Sequence, residues 1–141
     1  MPRADEKQDL SGYQTILTNP MLYGDTRFKV GTFTKDISDA VTSQAITGIG
    51  FQPKAIVMWG GVSGSAAYTT IFGAFDGTTH RTMLYNGSAY DPDLAYILFL
   101  VSGANNRSAS VASFDADGFT LTWAKTNSPT GTATINYMAF K

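Results

Sequence analysis

The 141-residue chain contains no cysteine and a single histidine, His80. The first absence removes disulfides, thiolate nucleophiles and thiolate metal sites together, and leaves the redox compartment open. The second removes the usual zinc sites and the Ser/His and Cys/His hydrolase relays, which draw on several histidines or thiolates. The expectation is a protein without catalytic residues, metal or cofactor. A strong charge of either sign is missing as well: ten Lys and Arg face eleven acids, for a net charge of −1. No basic face should dominate, so neither nucleic acid nor an anionic membrane is the expected partner. Long apolar runs are absent, the longest being the eight residues of "LAYILFLV" from Leu94 to Val101, against roughly 20 for a spanning helix. The opening Met-Pro-Arg-Ala-Asp-Glu-Lys-Gln-Asp mixes both charge signs where a signal peptide needs a basic start and an apolar stretch. Synthesis for the cytosol is expected.

Glutamate is nearly missing too, with ten aspartates to the lone Glu6, while threonine occurs 18 times. Helices favour glutamate, strands favour threonine and turns favour aspartate, so the composition is all-β. Period-2 patterning places nine strands at 28–35, 41–47, 54–59, 69–75, 81–85, 94–101, 108–114, 119–124 and 132–140. Between them lie "GIGFQP", "GGVSGSA", "FDGTTH", "NGSAYDPD", "SGANNR", "DADG" and "TNSPTG", each rich in residues that preset a turn. Even spacing of this kind predicts a β-sandwich, jelly-roll-like, over residues 28–141. In "GFTLTW" the large Phe119, Leu121 and Trp123 share one face and should be core. "LAYILFLV" does not alternate, which implies a central strand covered on both faces or one whose outer face meets another subunit.

Residues 1–27 differ. The first nine hold five charges, and the stretch that follows carries Tyr13, Ile16, Leu17, Met21, Leu22 and Tyr23 with no sustained helix or strand period. This reads as an extended N-terminal arm whose apolar side chains pack on the body or on a neighbour.

Several residues invite a chemical reading. Asp115 and Asp117 stand one apart before Gly118, like the start of a calcium loop, but Phe119, Leu121 and Trp123 occupy positions where further oxygen ligands are needed. A turn is the better reading, and a glycosidase pair finds no sign of a cleft. Asp91 and Asp93 flank Pro92, which again reads as a turn. His80 follows a hairpin-like Asp76-Gly77 and reads as a surface residue. "GGVSGSA" lacks the strand-to-helix context of a nucleophile elbow or phosphate loop, and its glycines read as a mobile loop. Nine Phe, seven Tyr and two Trp supply a core and, where exposed on a sandwich, surfaces for stacking sugars.

Three segments together resemble a module of structural proteins from tailed bacteriophages: "VGTFTKD" with "TSQAITGIGFQPKAIVMWGG" (within 30–61), "FGAFDGT" (72–78) and "FDADGFTLTWAKTNSPTGTATINYMAFK" (114–141). The most distinctive parts are "GFQPKAIVMW" and "DGFTLTW". The resemblance implies a virion component without catalytic residues, either a cement or decoration protein on the capsid exterior or part of a tail fibre or baseplate. The sequence stops after one module and has no repetitive shaft, which favours the capsid. On that expectation the major capsid protein is the partner, and the chain is a homo-oligomer, dimer or trimer. Tyr13, Ile16, Leu17, Met21, Leu22 and Tyr23 then supply apolar contacts, with Arg3, Lys7 and Arg27 orienting the arm on acidic surface. The rival expectation is a tail or baseplate module that binds host glycans through exposed aromatics.

Overall fold

The computed structural model describes residues 28–63, 70–85, 90–93, 95–102 and 104–141. The arm expected at residues 1–27 lies outside the described residues. Within them the chain forms ten strands and no helix: β1 (Phe28–Asp36), β2 (Ser43–Thr47), β3 (Ala55–Ser63), β4 (Thr70–Phe75), β5 (His80–Tyr85), β6 (Tyr90–Asp93), β7 (Leu98–Ser102), β8 (Asn105–Asp115), β9 (Gly118–Thr126) and β10 (Thr132–Phe140). Every pairing is antiparallel. A six-stranded sheet runs β1-β10-β3-β4-β5-β6, and a four-stranded sheet runs β2-β9-β8-β7. The two pack as a β-sandwich. β10 lies between β1 and β3 while β9 pairs with β2, the nesting of first and last strands that jelly rolls share. The stretches β3 to β6 and β7 to β9 are plain meanders.

The alternation of β9 and β10 explains the core. Phe119, Leu121 and Trp123 point inward from β9, as their spacing requires, and Ala133, Ile135, Tyr137 and Ala139 do so from β10. Ile56, Met58, Ile71, Leu98 and Leu100 complete the apolar layer. The Tyr137 ring meets Phe119 edge-on at 5.4 Å, a geometry that places a ring's positive edge against its neighbour's negative face.

Four local expectations are corrected. "YDPD" is not a turn but β6, the edge of the larger sheet; Pro92 is tolerated there because an edge strand need not donate every N–H. The glycines of "GGV" do not form a loop: β3 continues through Gly60 and Gly61, and a Cβ on Gly60 would lie 2.2 Å from the Thr134 carbonyl oxygen. "LAYILFLV" is not a doubly covered central strand. β7 is the edge of the smaller sheet, and the broken alternation comes from a bend that sends both Ile97 and Leu98 inward. The Ile97 N–H bonds to the Ala109 carbonyl at 2.8 Å, and its own carbonyl occupies the space beside Gly73, where a Cβ would stand 1.6 Å away. Finally, His80 is not simply on the surface, as described below.

Candidate interaction surface

The paired aspartates that look like chemistry hold the chain together. Asp115 accepts hydrogen bonds from the hydroxyls of Ser113 and Thr120, both at 2.7 Å. These bonds, Ser113 first, hold its pKa below 3.8. Asp117 accepts from the backbone N–H groups of Gly48 and Gly50, at 3.0 and 2.6 Å. Both glycines have positive φ, so each N–H can turn toward the carboxylate without a Cβ penalty. Gln52 adds a bond from its amide to the Phe114 carbonyl at 2.7 Å. The "GIGFQP" turn and the "DADG" turn, far apart in sequence, are thus stapled together, and the turn reading of the aspartates is borne out.

His80 links the two sheets. A bulge between Val111 and Ser113 interrupts the β8 ladder, and the Val111 N–H donates instead to His80 Nε2 at 2.9 Å. The accepting nitrogen must be unprotonated, so the ring is neutral with its proton on Nδ1. It stacks on Phe75 with centroids 4.2 Å apart. Burial lowers its pKa below 6.5, opposed by the charge of Asp76.

The strongest electrostatic feature was not expected. At the end of the sandwich opposite Asp117, Lys35 and Arg107 are almost fully buried and converge on the 37–42 connection between β1 and β2. Lys35 Nζ lies 2.8 Å from Asp39 Oδ2 and donates to the Val41 carbonyl at 3.2 Å. It also stands 5.3 Å from the centre of the Trp123 ring, where the π face favours a cation. Arg107 Nη1 donates to the Asp39 carbonyl at 2.7 Å, and Nη2 donates to Asp39 Oδ1 at 3.2 Å and to the Val41 carbonyl. Lys125 donates to the Ser38 carbonyl at 3.1 Å. Apart from Arg107 Nε, which is buried without a hydrogen-bond partner, the cluster directs its donors to one carboxylate and to backbone oxygens, so it fixes a crossover rather than offering a site. The inward parity of Lys35 with Phe33 was readable in "FTKD"; Arg107 was hidden because "SGANNR" looked like a turn.

Among the described residues, no three His, Cys, Asp or Glu side chains lie together as metal ligands would. The outer face of the six-stranded sheet is largely apolar among the described residues. Register places the outward residues of the six-stranded sheet in rows across β1, β10, β3, β4 and β5. The first row is Phe28, Phe140 and Ala55. The second is Val30, Met138, Val57, Ala74 and Arg81. The third is Thr32, Asn136, Trp59, Phe72 and Met83. Phe28, Val30, Phe72 and Met83 are each about half exposed, at 50 to 52%, with Trp59 and Phe140 at 36 and 37%. Along the Val57 row lies a hollow of about 130 Å³, walled by Ala55, Ile56, Val57, Ala74 and Phe75 and rimmed by Asp76, Thr79 and Arg81. The outer face of the four-stranded sheet is different: its register lines up Ser43, Thr122 and Ser110, then Ala45, Thr120 and Ser113. Large exposed apolar patches mark interaction sites, since water is a poor neighbour for them.

The residues expected from sequence to contact a partner, Arg3, Lys7, Tyr13, Ile16, Leu17, Met21, Leu22, Tyr23 and Arg27, lie outside the described residues. The apolar face was missed because "AIVMWGGV" is apolar on both parities, and pattern alone does not say which parity is covered. No family model matches the chain, and comparison with curated proteins and with solved structures finds no match.

Proposed function

We propose that this chain is a non-enzymatic virion structural protein, a capsid cement or decoration protein that binds and stabilises the assembled major capsid lattice. The observation that carries this reading is the apolar outer face of the six-stranded sheet, a ready assembly surface on a fold in which Asp39, Asp115, Asp117, the buried cations and His80 are engaged internally. The phage resemblance of the sequence supplies the setting. The working principle is mass action: a subunit that binds only the assembled lattice stabilises it by its differential affinity, repeated over many copies. The arm residues then reach the neighbouring capsid subunit, and the apolar face joins the sandwich to another member of the assembly. Two measurements test the reading. Purified virions should contain the chain in hundreds of copies, and heated capsids should lose stability when residues 1–27 are deleted. A handful of copies per virion, or unchanged capsid melting without the protein, would overturn it.

A tail or baseplate module that binds host glycans is the second reading. Trp59 favours it, lying exposed beside Phe72 with Asn136 and Thr32 in the same row, an aromatic platform flanked by hydrogen-bonding groups. Loss of glycan-array binding on Trp59→Ala would support it, and labelling of the head alone in electron micrographs would exclude it.

A further inference from the structure

The occupant of the apolar face can be read from its shape. We infer that it is a second copy of this chain, so that the protein is a two-fold dimer joined through the outer faces of its six-stranded sheets. This rests on the reading of that face as an assembly surface and names its partner.

The face is self-complementary. The row Trp59, Phe72 and Met83 carries large side chains, and in the adjacent row the smaller Val57 and Ala74, with Arg81, line the hollow of about 130 Å³. A two-fold axis lying in the interface and running across the strands between these rows exchanges them. Trp59 of one copy then covers Val57 of the other, Phe72 fills the space over Ala74, and Met83 lies along the aliphatic stem of Arg81. Each contact is made twice, as an isologous interface requires. Strands of the two facing sheets remain nearly aligned, the ordinary mode of sheet-on-sheet packing. Charge is compatible: the one cation in the two rows, Arg81, has Asp76 on the same rim, a carboxylate kept ionised mainly by the Thr79 and Thr78 N–H groups and slightly by the Arg81 charge.

Area sets the strength. Five strands at ~4.8 Å spacing and three rows over ~20 Å give a footprint on the order of 500 Å² per copy. That lies at the upper end of what monomers leave exposed and below the roughly 800 Å² per partner of a standard stable interface. The dimer should therefore be concentration-dependent, with a Kd in about the micromolar range. On a shell it would present two arms at once, and the second would bind at high effective concentration.

The test uses the full-length chain. Sedimentation velocity from about 1 to 200 µM should show a monomer–dimer equilibrium, with tryptophan emission shifting to the blue as Trp59 is covered. Trp123 is already buried and stays silent, so Trp59→Phe should abolish the shift. Trp59→Asp and Phe72→Asp should each weaken the dimer by about 100-fold or more, as central aromatic anchors do. Ala74→Trp keeps the face apolar but fills the hollow, and should weaken the dimer comparably. A monomer at every concentration overturns the inference, whether residues 1–27 or only the capsid cover the face. Open-ended oligomers, or a dimer indifferent to Ala74→Trp, overturn it as well. Virion copy number is read separately: abundant copies of a monomer would sink the dimer and spare the virion reading, and a dimer absent from virions would do the reverse.

Discussion

Two regions of this molecule invert the usual rule of polar outside and apolar inside. Lys35 and Arg107 are charged yet only 4% and 1% exposed, while Phe72 and Met83 are apolar yet 50% and 51% exposed. The first inversion is compensated within the chain by Asp39, by backbone carbonyls and by the Trp123 ring, with Arg107 Nε alone left without a partner among the cluster's buried donors. The second finds no cover among the described residues. Buried charge without a partner is so costly that it must be answered by the fold itself, whereas exposed apolar surface is tolerable until something arrives to cover it. A compensated departure therefore reports on structure, and an uncompensated one on function.

Breaking the compensation should have the largest effect on stability. Asp39→Ala leaves two buried cations with carbonyl oxygens and, for Lys35, the Trp123 ring, but no counter-charge. Asp39 keeps some contact with water, which places the cost near the low end for a broken buried pair, about 3 kcal/mol. Thermal melting should register a fall of roughly 10 °C for a chain of this size. A fall of only a degree or two would mean that the carbonyls alone satisfy Lys35 and Arg107, and that the cluster is not a true inversion.

A smaller loss is expected where the sandwich is tightest. Gly73→Ala drives a methyl group into the Ile97 backbone, which already occupies its place, and overpacking of this kind costs about 1 to 3 kcal/mol. Urea unfolding should show a lower midpoint with an unchanged slope. Asp117→Ala removes the acceptor shared by Gly48 and Gly50, but water can replace it at that exposed turn. Its melting temperature should fall by about 2 to 3 °C, so the exposed carboxylate at one end of the sandwich matters far less than the half-buried one at the other.

These contrasts also mark what could be read from sequence. Threonine and aspartate, with turn residues at even spacing, disclosed the all-β fold, and the alternation of Phe119, Leu121 and Trp123 disclosed a core strand. The paired aspartates were legible as a turn because apolar residues follow where ligands would be needed. The rest depends on pairing, which a single sequence does not state. Pro92 hid an edge strand, and a bend at Ile97 mimicked a doubly covered one. The carboxylate of Asp117 reaches two glycines 67 and 69 residues away. β3 is apolar on both parities, so only the packing of the second sheet decides that Ile56 and Met58 are inside and Val57 and Trp59 outside.

His80 offers a gentler probe through pH. Its folded pKa lies below 6.5, because burial disfavours the charged ring more than Asp76 favours it. In the window below 6.5 the unfolded chain takes up a proton that the folded chain refuses. Stability is therefore complete above 6.5 and declines as pH falls toward the folded pKa. Protonation would also remove the acceptor for the Val111 N–H. Asp36, Asp76 and Asp115 have pKa values held below 3.8 by their hydrogen bonds, so they stay ionised across this window. Urea midpoints should fall modestly between pH 7 and 5.5, and His80→Phe should flatten that dependence while lowering the midpoint at pH 7.

The smallest effect on the folded monomer is expected from the residue most important to the proposed interface. Trp59→Ser removes a large side chain from the outer face of the sheet, with no buried cavity left behind and no side-chain hydrogen bond to another described residue to break. Surface changes of this kind usually stay within about 0.5 kcal/mol. In dilute solution, below the dissociation constant of the proposed dimer, the melting temperature should match that of the parent, while at high concentration the variant should remain more soluble and fail to self-associate. If the dilute monomer instead unfolds several degrees earlier, Trp59 is part of what holds the sheet together. The exposed face would then be a compensated surface like the buried cations, and its claim to function would fall.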